Sequence, residues 1–415
     1  MIDRIVIEHF KSLFKVDLSL GHVNLFIGTN ASGKSNFLEA LRFLEGVGNG
    51  FTVNEILNGK PKGATSEVWD GIRGGSAHAC FGSVEAEVAI TAHGTVTECL
   101  PIDWAPFPSD WIYRIAFLPS VKGIVTQEEV QIGGGSFGFA SMEPSPRLPH
   151  IVTDRGYAGL VGIPSSQSID DATENVHESQ ISPEDPRYVL LPQAHVCSSV
   201  AKLFSGTQRL ELSPQVLRNY SKFTSAQRMG NHGENFAALV KTICENQQAK
   251  DAYLSWLRQL RPEEIDDVGT LSGAIGEPMF MLRENGRECP APVLSDGTLR
   301  FAAITAAFFQ ADMPSIITIE EIENGIHASR VKILLELLRS QAEHRDMQVM
   351  ATTHSATVLD WLREEDYKTT FLCRRDESTG ESKICSLTDI PHFLDAVKKK
   401  PASALFSEGW LEMAS

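Results

Sequence analysis

One octapeptide constrains this chain more than any other stretch: Gly28-Thr29-Asn30-Ala31-Ser32-Gly33-Lys34-Ser35, which fits the pattern G-x-x-x-x-G-K-[ST]. Its flanks fit as well. His22-Val23-Asn24-Leu25-Phe26-Ile27 reads as a short buried strand, and Asn36-Phe37-Leu38-Glu39-Ala40-Leu41-Arg42-Phe43-Leu44 carries apolar residues at helical spacing. In a strand–loop–helix unit the glycines let backbone N–H groups turn inward around phosphate oxygens, and the helix N-terminus adds the positive end of its dipole. Gly28, Asn30, Ala31, Ser32, Gly33 and Asn36 are the expected cradle. Lys34 would reach the β- and γ-phosphates of ATP and Ser35 would hold Mg²⁺. The feature predicts an α/β core with a nucleoside triphosphate site.

The rest of the composition bounds the setting. A chain of 415 residues has room for two or three structural units. Its formal charge of −16 argues against a protein that coats nucleic acid along its whole surface, though not against a local basic groove. The seven cysteines include no C-x-x-C pair and no His/Cys group at zinc spacing, so they read as reduced packing thiols. The opening Met1-Ile2-Asp3-Arg4-Ile5-Val6-Ile7 is too charged for a signal peptide, and no apolar run is long enough to cross a bilayer. The expectation is a cytoplasmic protein with no membrane contact.

Along the chain, residues 2–9 and 13–20 predict two paired strands. Residues 83–92 alternate as a strand, with a turn at Gly94 and another strand over 95–100, and Trp111–Leu118 extends this antiparallel sheet. The glycines, prolines and acids of residues 119–195 predict long loops. From Val196 to Leu260 the spacing is helical, with Phe236, Leu239, Val240 and Ile243 on one face and Tyr253, Leu254, Leu257 and Leu260 on another. This block predicts a helical lid inserted over 196–269, and 119–269 as a whole is an insertion in a core made of 1–118 and 270–415. In the final third, strands and helices alternate, which implies a largely parallel sheet.

Three further stretches carry chemistry. The apolar strand Ser315–Ile319 ends in Glu320-Glu321; one acid there can coordinate Mg²⁺ and the next can polarise an attacking water. Glu320 is assigned to the metal and Glu321 to the water. His354 follows the apolar strand Gln348–Thr353, where an imidazole can sense a γ-phosphate. Leu294-Ser295-Asp296-Gly297-Thr298 opens a helix, with Ser295 as its cap and an anion site at its N-terminus.

The order of these motifs resembles the ABC-type ATPases: Walker A at 28–35, a signature-like Leu-Ser-Asp-Gly-Thr at 294–298, a Walker B strand ending Glu320-Glu321, and a switch histidine at His354. Glu320-Glu321-Ile322-Glu323-Asn324-Gly325-Ile326-His327 looks like the Glu-Glu-Pro-Glu-Asn-Gly-(Leu/Ile)-His-Pro stretch of the RecF/SMC/OLD-like branch. Ile322 and Ala328 stand where that pattern has its two prolines. The opening His9-Phe10-Lys11-Ser12-Leu13 between two strands is similar to the same branch. The resemblance implies an ABC-ATPase-type P-loop core with an N-terminal antiparallel sheet and an inserted helical lid. It further implies that Glu321 is the catalytic base, that Ser295 and Gly297 cap the γ-phosphate in trans, and that Glu323 and Asn324 form the D-loop. Gln193, after Val189-Leu190-Leu191, is the candidate Q-loop metal ligand, with Gln167 behind it; Arg73 and Arg218 are candidates for nucleotide or interface contacts.

A head-to-tail homodimer closed by ATP follows from the resemblance, as does a role in DNA repair or defence against foreign DNA beside a separate effector such as a nuclease. Direct DNA contact would rest on small basic groups, Lys398-Lys399-Lys400 and Arg374-Arg375. The alternative is an ATP-dependent scaffold that regulates a protein partner without DNA. A transporter subunit is disfavoured by the branch-type opening, and a P-loop kinase would need neither Ser295 nor His354. After His354 about sixty residues follow, fewer than a fused Toprim nuclease domain is expected to need.

Overall fold

The structure is a computed structural model that describes residues 1–60, 69–82, 86–96, 110–119, 123–132, 135–139, 186–222 and 224–414; of residues 135–139 and 186–195 it describes the backbone alone. The chain divides into two compact units. The first comprises residues 1–21, 31–207 and 373–384, and the second 22–30, 208–372 and 385–415.

The first unit is built on a six-stranded sheet of order β2-β1-β4-β5-β6-β7, from β1 (Ile2–Phe10), β2 (Leu13–Ser19), β4 (Val88–Thr95), β5 (Asp110–Leu118), β6 (Ile124–Ile132) and β7 (Gly135–Phe139). Each neighbouring pair is antiparallel. On β1 the buried positions are Ile2, Ile5, Ile7 and Phe10. The phosphate-loop helix, Lys34–Gly48, buries Phe37, Leu41, Phe43 and Leu44. Phe43 lies flat on Phe117 of β5, with ring centroids 4.5 Å apart. Gly48 permits close approach of the helix Pro186–Ser205: a Cβ there would lie 2.5 Å from the Ser205 nitrogen.

Two expectations fail in this unit, and a third falls outside the described residues. Gly94 is no turn; it pairs with Ile2 and Trp111 inside β4, and a Cβ there would meet the Met1 carbonyl at 2.2 Å. Residues 97–100, the expected next strand, lie outside the described residues. Where loops were expected over 119–195, β6 and β7 extend the sheet and a helix begins at Pro186. β6 escapes detection because its buried Glu128 breaks the alternation, and only the pairing with β5 reveals that the Tyr113 hydroxyl donates to that carboxylate (2.9 Å). Gln193 therefore sits within a helix and not in a loop after a strand, and its side chain, like all of Gln167, lies outside the described residues.

In the second unit the sheet order is β15-β14-β3-β13-β12-β8, from β3 (Val23–Ile27), β8 (Thr207–Leu210), β12 (Ile316–Ile319), β13 (Gln348–Thr353), β14 (Thr370–Arg375) and β15 (Ser382–Ser386); β8, β14 and β15 contribute residues to both units. β14, β3, β13 and β12 run parallel to their neighbours, with Thr353 opposite Ile27 and Ala351 opposite Ile319. β13 is buried along its whole length and β3 along all but its first residue, as expected for central strands covered on both faces. A smaller antiparallel sheet of order β11-β10-β9 joins β9 (Ile265–Ser272), β10 (Pro278–Glu284) and β11 (Arg287–Pro290). Asn285 and Gly286, both at positive φ (49° and 73°), make the tight β10–β11 turn anticipated from the sequence.

The helical reading of 196–260 holds for helices Phe236–Glu245 and Gln247–Arg258 and fails at 207–210, where β8 forms a sheet edge. These two helices share one apolar cluster with the signature helix: Leu239, Tyr253 and Leu257 join Phe280, Phe301, Ile317 and Leu334. Among the described residues no helix is long and apolar enough to cross a membrane. The described cysteines are free thiols, and burial pushes Cys197 up to about 12 and Cys244 up to about 11, which keeps them protonated and inert.

Candidate nucleotide site

The register of the parallel sheet explains how one edge collects the motifs. With Thr353 level with Ile27, and Ile319 two residues behind on the neighbouring strand, the carboxyl ends of β3, β12 and β13 deliver Gly28, Glu320-Glu321 and His354 to the same edge of the second unit. That is where open parallel sheets bind their ligands.

The phosphate loop starts there and runs into the first unit: Gly28, Thr29 and Asn30 group with the second unit, and the loop from Ala31 onward groups with the first. Ala31 (φ 63°) and Gly33 (φ 104°) are both left-handed, the conformation that turns successive N–H groups to one side as a nest. Lys34 folds its ammonium back to 3.5 Å from the Ser32 hydroxyl. This backbone fits a phosphate ligand.

A network in the first unit fixes the loop and its helix. At the β1–β2 turn His9 and Lys11 have positive φ (57° and 54°). Lys11 forms a buried ion pair with Glu39 of the helix and donates to the Arg73 carbonyl at 2.9 Å. The Asn36 amide donates to the Ser12 hydroxyl (2.6 Å), which contacts that of Ser382 at 2.7 Å. Gly33 packs against Ser382 so tightly that a Cβ would sit 2.4 Å from its oxygen. The His-Phe-Lys-Ser-Leu opening is thus a brace for the helix that follows the loop, and Asn36, expected in the phosphate cradle, is part of that brace. Arg73, 71% exposed, lies 3.8 Å from Glu39.

In the second unit the acids sit on a strained, pinned turn. Glu321 has φ 49°, a conformation costly for a residue with a Cβ. Its N–H donates to the Thr352 hydroxyl of β13 (3.0 Å), and Arg300 of the signature helix donates to the carbonyls of Glu320 (2.8 Å) and Glu321 (3.0 Å). Arg300 is 6% exposed and also donates to the Leu212 carbonyl. Burial lowers its pKa, offset in part by Glu321 and Glu323. The Glu321 carboxylate, held by its backbone, stays 47% exposed, 4.0 Å from His354 Nδ1, with the Asn324 amide donating to it at 3.4 Å.

Glu323, 11% exposed, is the clamp of this cluster. Its Oε1 accepts the backbone N–H groups of His354 and Ser355, each at 3.1 Å, and lies 3.4 Å from His354 Nδ1. Its Oε2 is buried with no partner among the described residues. Glu323 thereby ties the D-loop to the histidine strand inside one chain. Sequence reading gave Glu323 a place in the D-loop but not this partner, and it missed Arg300 altogether. The one available signal was a lone cation in the otherwise apolar run Phe301–Ala307 and its approach.

Ser295 caps the signature helix Asp296–Ala307 by accepting the Thr298 N–H (3.2 Å), as expected. Gly297 has no left-handed backbone; it is required by proximity, since a Cβ would stand 2.2 Å from the Gly325 carbonyl of the D-loop. Arg218 pairs with Asp296 and donates to the Leu294 carbonyl (3.0 Å), so it shapes the signature turn.

These features define a P-loop nucleotide-binding core. The profile of the family described as "AAA domain, putative AbiEii toxin, Type IV TA system" matches residues 23–77 and 243–360, which hold the phosphate loop, signature, acids and His354. An "ATP/GTP phosphatase" of Helicobacter pylori is 23% identical over 406 residues, covering 91% of this chain and 93% of that protein. The DNA replication and repair protein RecF of Lactobacillus acidophilus is 46% identical over 44 residues, 10% of this chain and 12% of RecF. Among solved structures, an Smc head bound to the C-winged helix domain of ScpA aligns with a TM-score of 0.48 at 14% identity (93% of this chain, 97% of that one), and the SMC head domain of Thermotoga maritima with 0.45 at 10% (93% and 98%). Over the residues that carry these motifs the chain is similar to that AAA-domain family, and it shares sequence with an ATP/GTP phosphatase and with RecF.

Proposed function

We propose that this protein is an ATP-hydrolysing switch that dimerises head to tail around nucleotide. The observation that carries the reading is the presentation of Glu321: its backbone is pinned by Thr352 and Arg300 while its carboxylate stands half-exposed beside His354. A carboxylate so held is free to accept a proton from water without rearranging the chain. In this reading Lys34 neutralises the β- and γ-phosphates. Ser35 and Glu320 would hold magnesium, since a hydroxyl and a carboxylate are the hard oxygens this ion takes. Glu321 is the base, His354 distinguishes ATP from ADP, and Ser295 and Gly297 reach the γ-phosphate of a second copy. Gln193 is given no role in it, since a helix and not a strand end carries it.

The relative described as an ATP/GTP phosphatase supports nucleotide hydrolysis. The RecF match supports a DNA-related setting; to this the proposal adds repair or defence against foreign DNA, a cytoplasmic location and a separate effector such as a nuclease. A second reading, an ATP-dependent scaffold for a protein partner, is favoured by the charge of −16 and by the pairing of Lys398 with Asp395 and of Lys400 with Glu408, which leaves little phosphate-binding charge at that basic run. A salt-dependent affinity for duplex DNA separates the two. The primary test is the solution mass of Glu321→Gln with ATP. The proposal expects a shift to dimer that Ser295→Arg, placed in the same chain, abolishes; a mass indifferent to ATP overturns it.

A further inference from the structure

A cavity of about 500 Å³ in the second unit, away from every motif above, has the makings of a separate ligand site. Its walls are the helices Phe236–Glu245 and Gln247–Arg258, the segment after the signature helix, and the end of the helix Ala328–His344. This volume falls in the range of pockets that hold small organic ligands.

The lining has two characters. Trp256, Phe309 and Ala252 supply an apolar side. Gln341, His344 and Arg345 supply a polar end, and no Asp or Glu lines the cavity in a chain whose net charge is −16. Arg345 makes no ion pair among the described residues; its guanidinium lies 5.5 Å from the Phe309 ring centroid and donates only a long bond, 3.4 Å, to the Gln341 side chain. Gln341 is just 8% exposed, yet that bond occupies its oxygen alone, and its amide nitrogen has no partner among the described residues. A guanidinium fork is shaped for a planar carboxylate, and an amide N–H is a neutral donor that can join it.

We infer that this cavity binds a small organic acid: an aromatic or branched apolar group seated against Trp256 and Phe309, with its carboxylate between the Arg345 guanidinium and the Gln341 amide. The carboxylate offers an acceptor to both donors, and the apolar group covers the aromatic wall.

The test is calorimetric titration of the full chain, without nucleotide, by indole-3-acetate, phenylacetate and 4-methylpentanoate, with indole-3-acetamide as the uncharged control. At least one acid is expected to bind with a Kd of about 1 mM or tighter, and its amide about tenfold more weakly. Arg345→Met, a change at the protein surface, is expected to weaken the acid about tenfold, and Ala252→Phe, which fills the cavity, to abolish binding. The inference is overturned if no acid binds up to about 10 mM, if acid and amide bind alike, or if Arg345→Met binds as well as the unaltered protein. Because nucleotide is absent, these outcomes do not depend on whether the chain hydrolyses ATP.

Discussion

Both units bury a polar network beneath a motif, and the two networks are finished differently. In the first unit, Lys11 and Glu39 form a buried pair, Lys11 also reaches the Arg73 carbonyl, and Ser12 is matched to both Asn36 and Ser382. In the second, Arg300 holds three backbone carbonyls and Glu323 two backbone N–H groups, yet Arg300 Nε and Glu323 Oε2 are buried without partners among the described residues, and Glu321 is left half-exposed at positive φ. A satisfied network rigidifies, whereas an unfinished one carries desolvation cost and strain of the sort that collects at functional sites. The difference teaches that the β1–β2 turn gives the loop helix its shape, while the acid cluster is kept poised for a ligand.

Substitutions in each network should separate shape from chemistry. The largest expected effect is on rate: Glu321→Gln should lower kcat by about 10²–10⁴-fold, the usual worth of a general base, while the thermal midpoint of unfolding stays close to that of the unaltered protein. A matching fall in stability would mean that Glu321 is structural. Lys11→Met should do the reverse, leaving buried Glu39 with only the exposed Arg73 at 3.8 Å, at a cost of about 3 kcal/mol in denaturant titration. If stability were unchanged, the brace would have no structural weight. The smallest effect separates two variants at one position. Glu323→Ala strips the acceptor from two N–H groups and should cost about 1–3 kcal/mol, whereas Glu323→Gln keeps an acceptor and should lose distinctly less. Equal losses would show that charge, and not the clamp on His354 and Ser355, is what Glu323 supplies.

What was legible in the sequence is what is local. Gly28–Ser35, Glu320-Glu321, His354 and the Ser295 cap each sit at a strand end or helix start, and a few adjacent residues specify them. The parallel sheet was legible from its apolar strands, and the structure aligns those strands in register. Tertiary pairing was not legible. Arg300 acquires meaning only when the signature helix lies under the Glu320–Glu321 carbonyls, and Glu323 only when the D-loop meets β13. Residues 124–132 read as loop because Glu128 breaks their alternation and its partner, the Tyr113 hydroxyl, comes from β5, and Gly94 read as a turn because nothing local announces that two strands crowd it. Gln193 followed an apolar run that proved helical.

The most direct test of the central claim mixes two crippled chains. Lys34→Ala should lose phosphate binding, and Ser295→Arg should lose the surface offered to a partner, so each alone should be nearly inactive in ATP hydrolysis. In a head-to-tail dimer of the two, one composite site pairs the sound phosphate loop of the Ser295→Arg chain with the sound signature of the Lys34→Ala chain. The account predicts that mixing restores hydrolysis well above the sum of the separate proteins. Two folded variants that give no rescue on mixing, or Ser295→Arg fully active by itself, would contradict it.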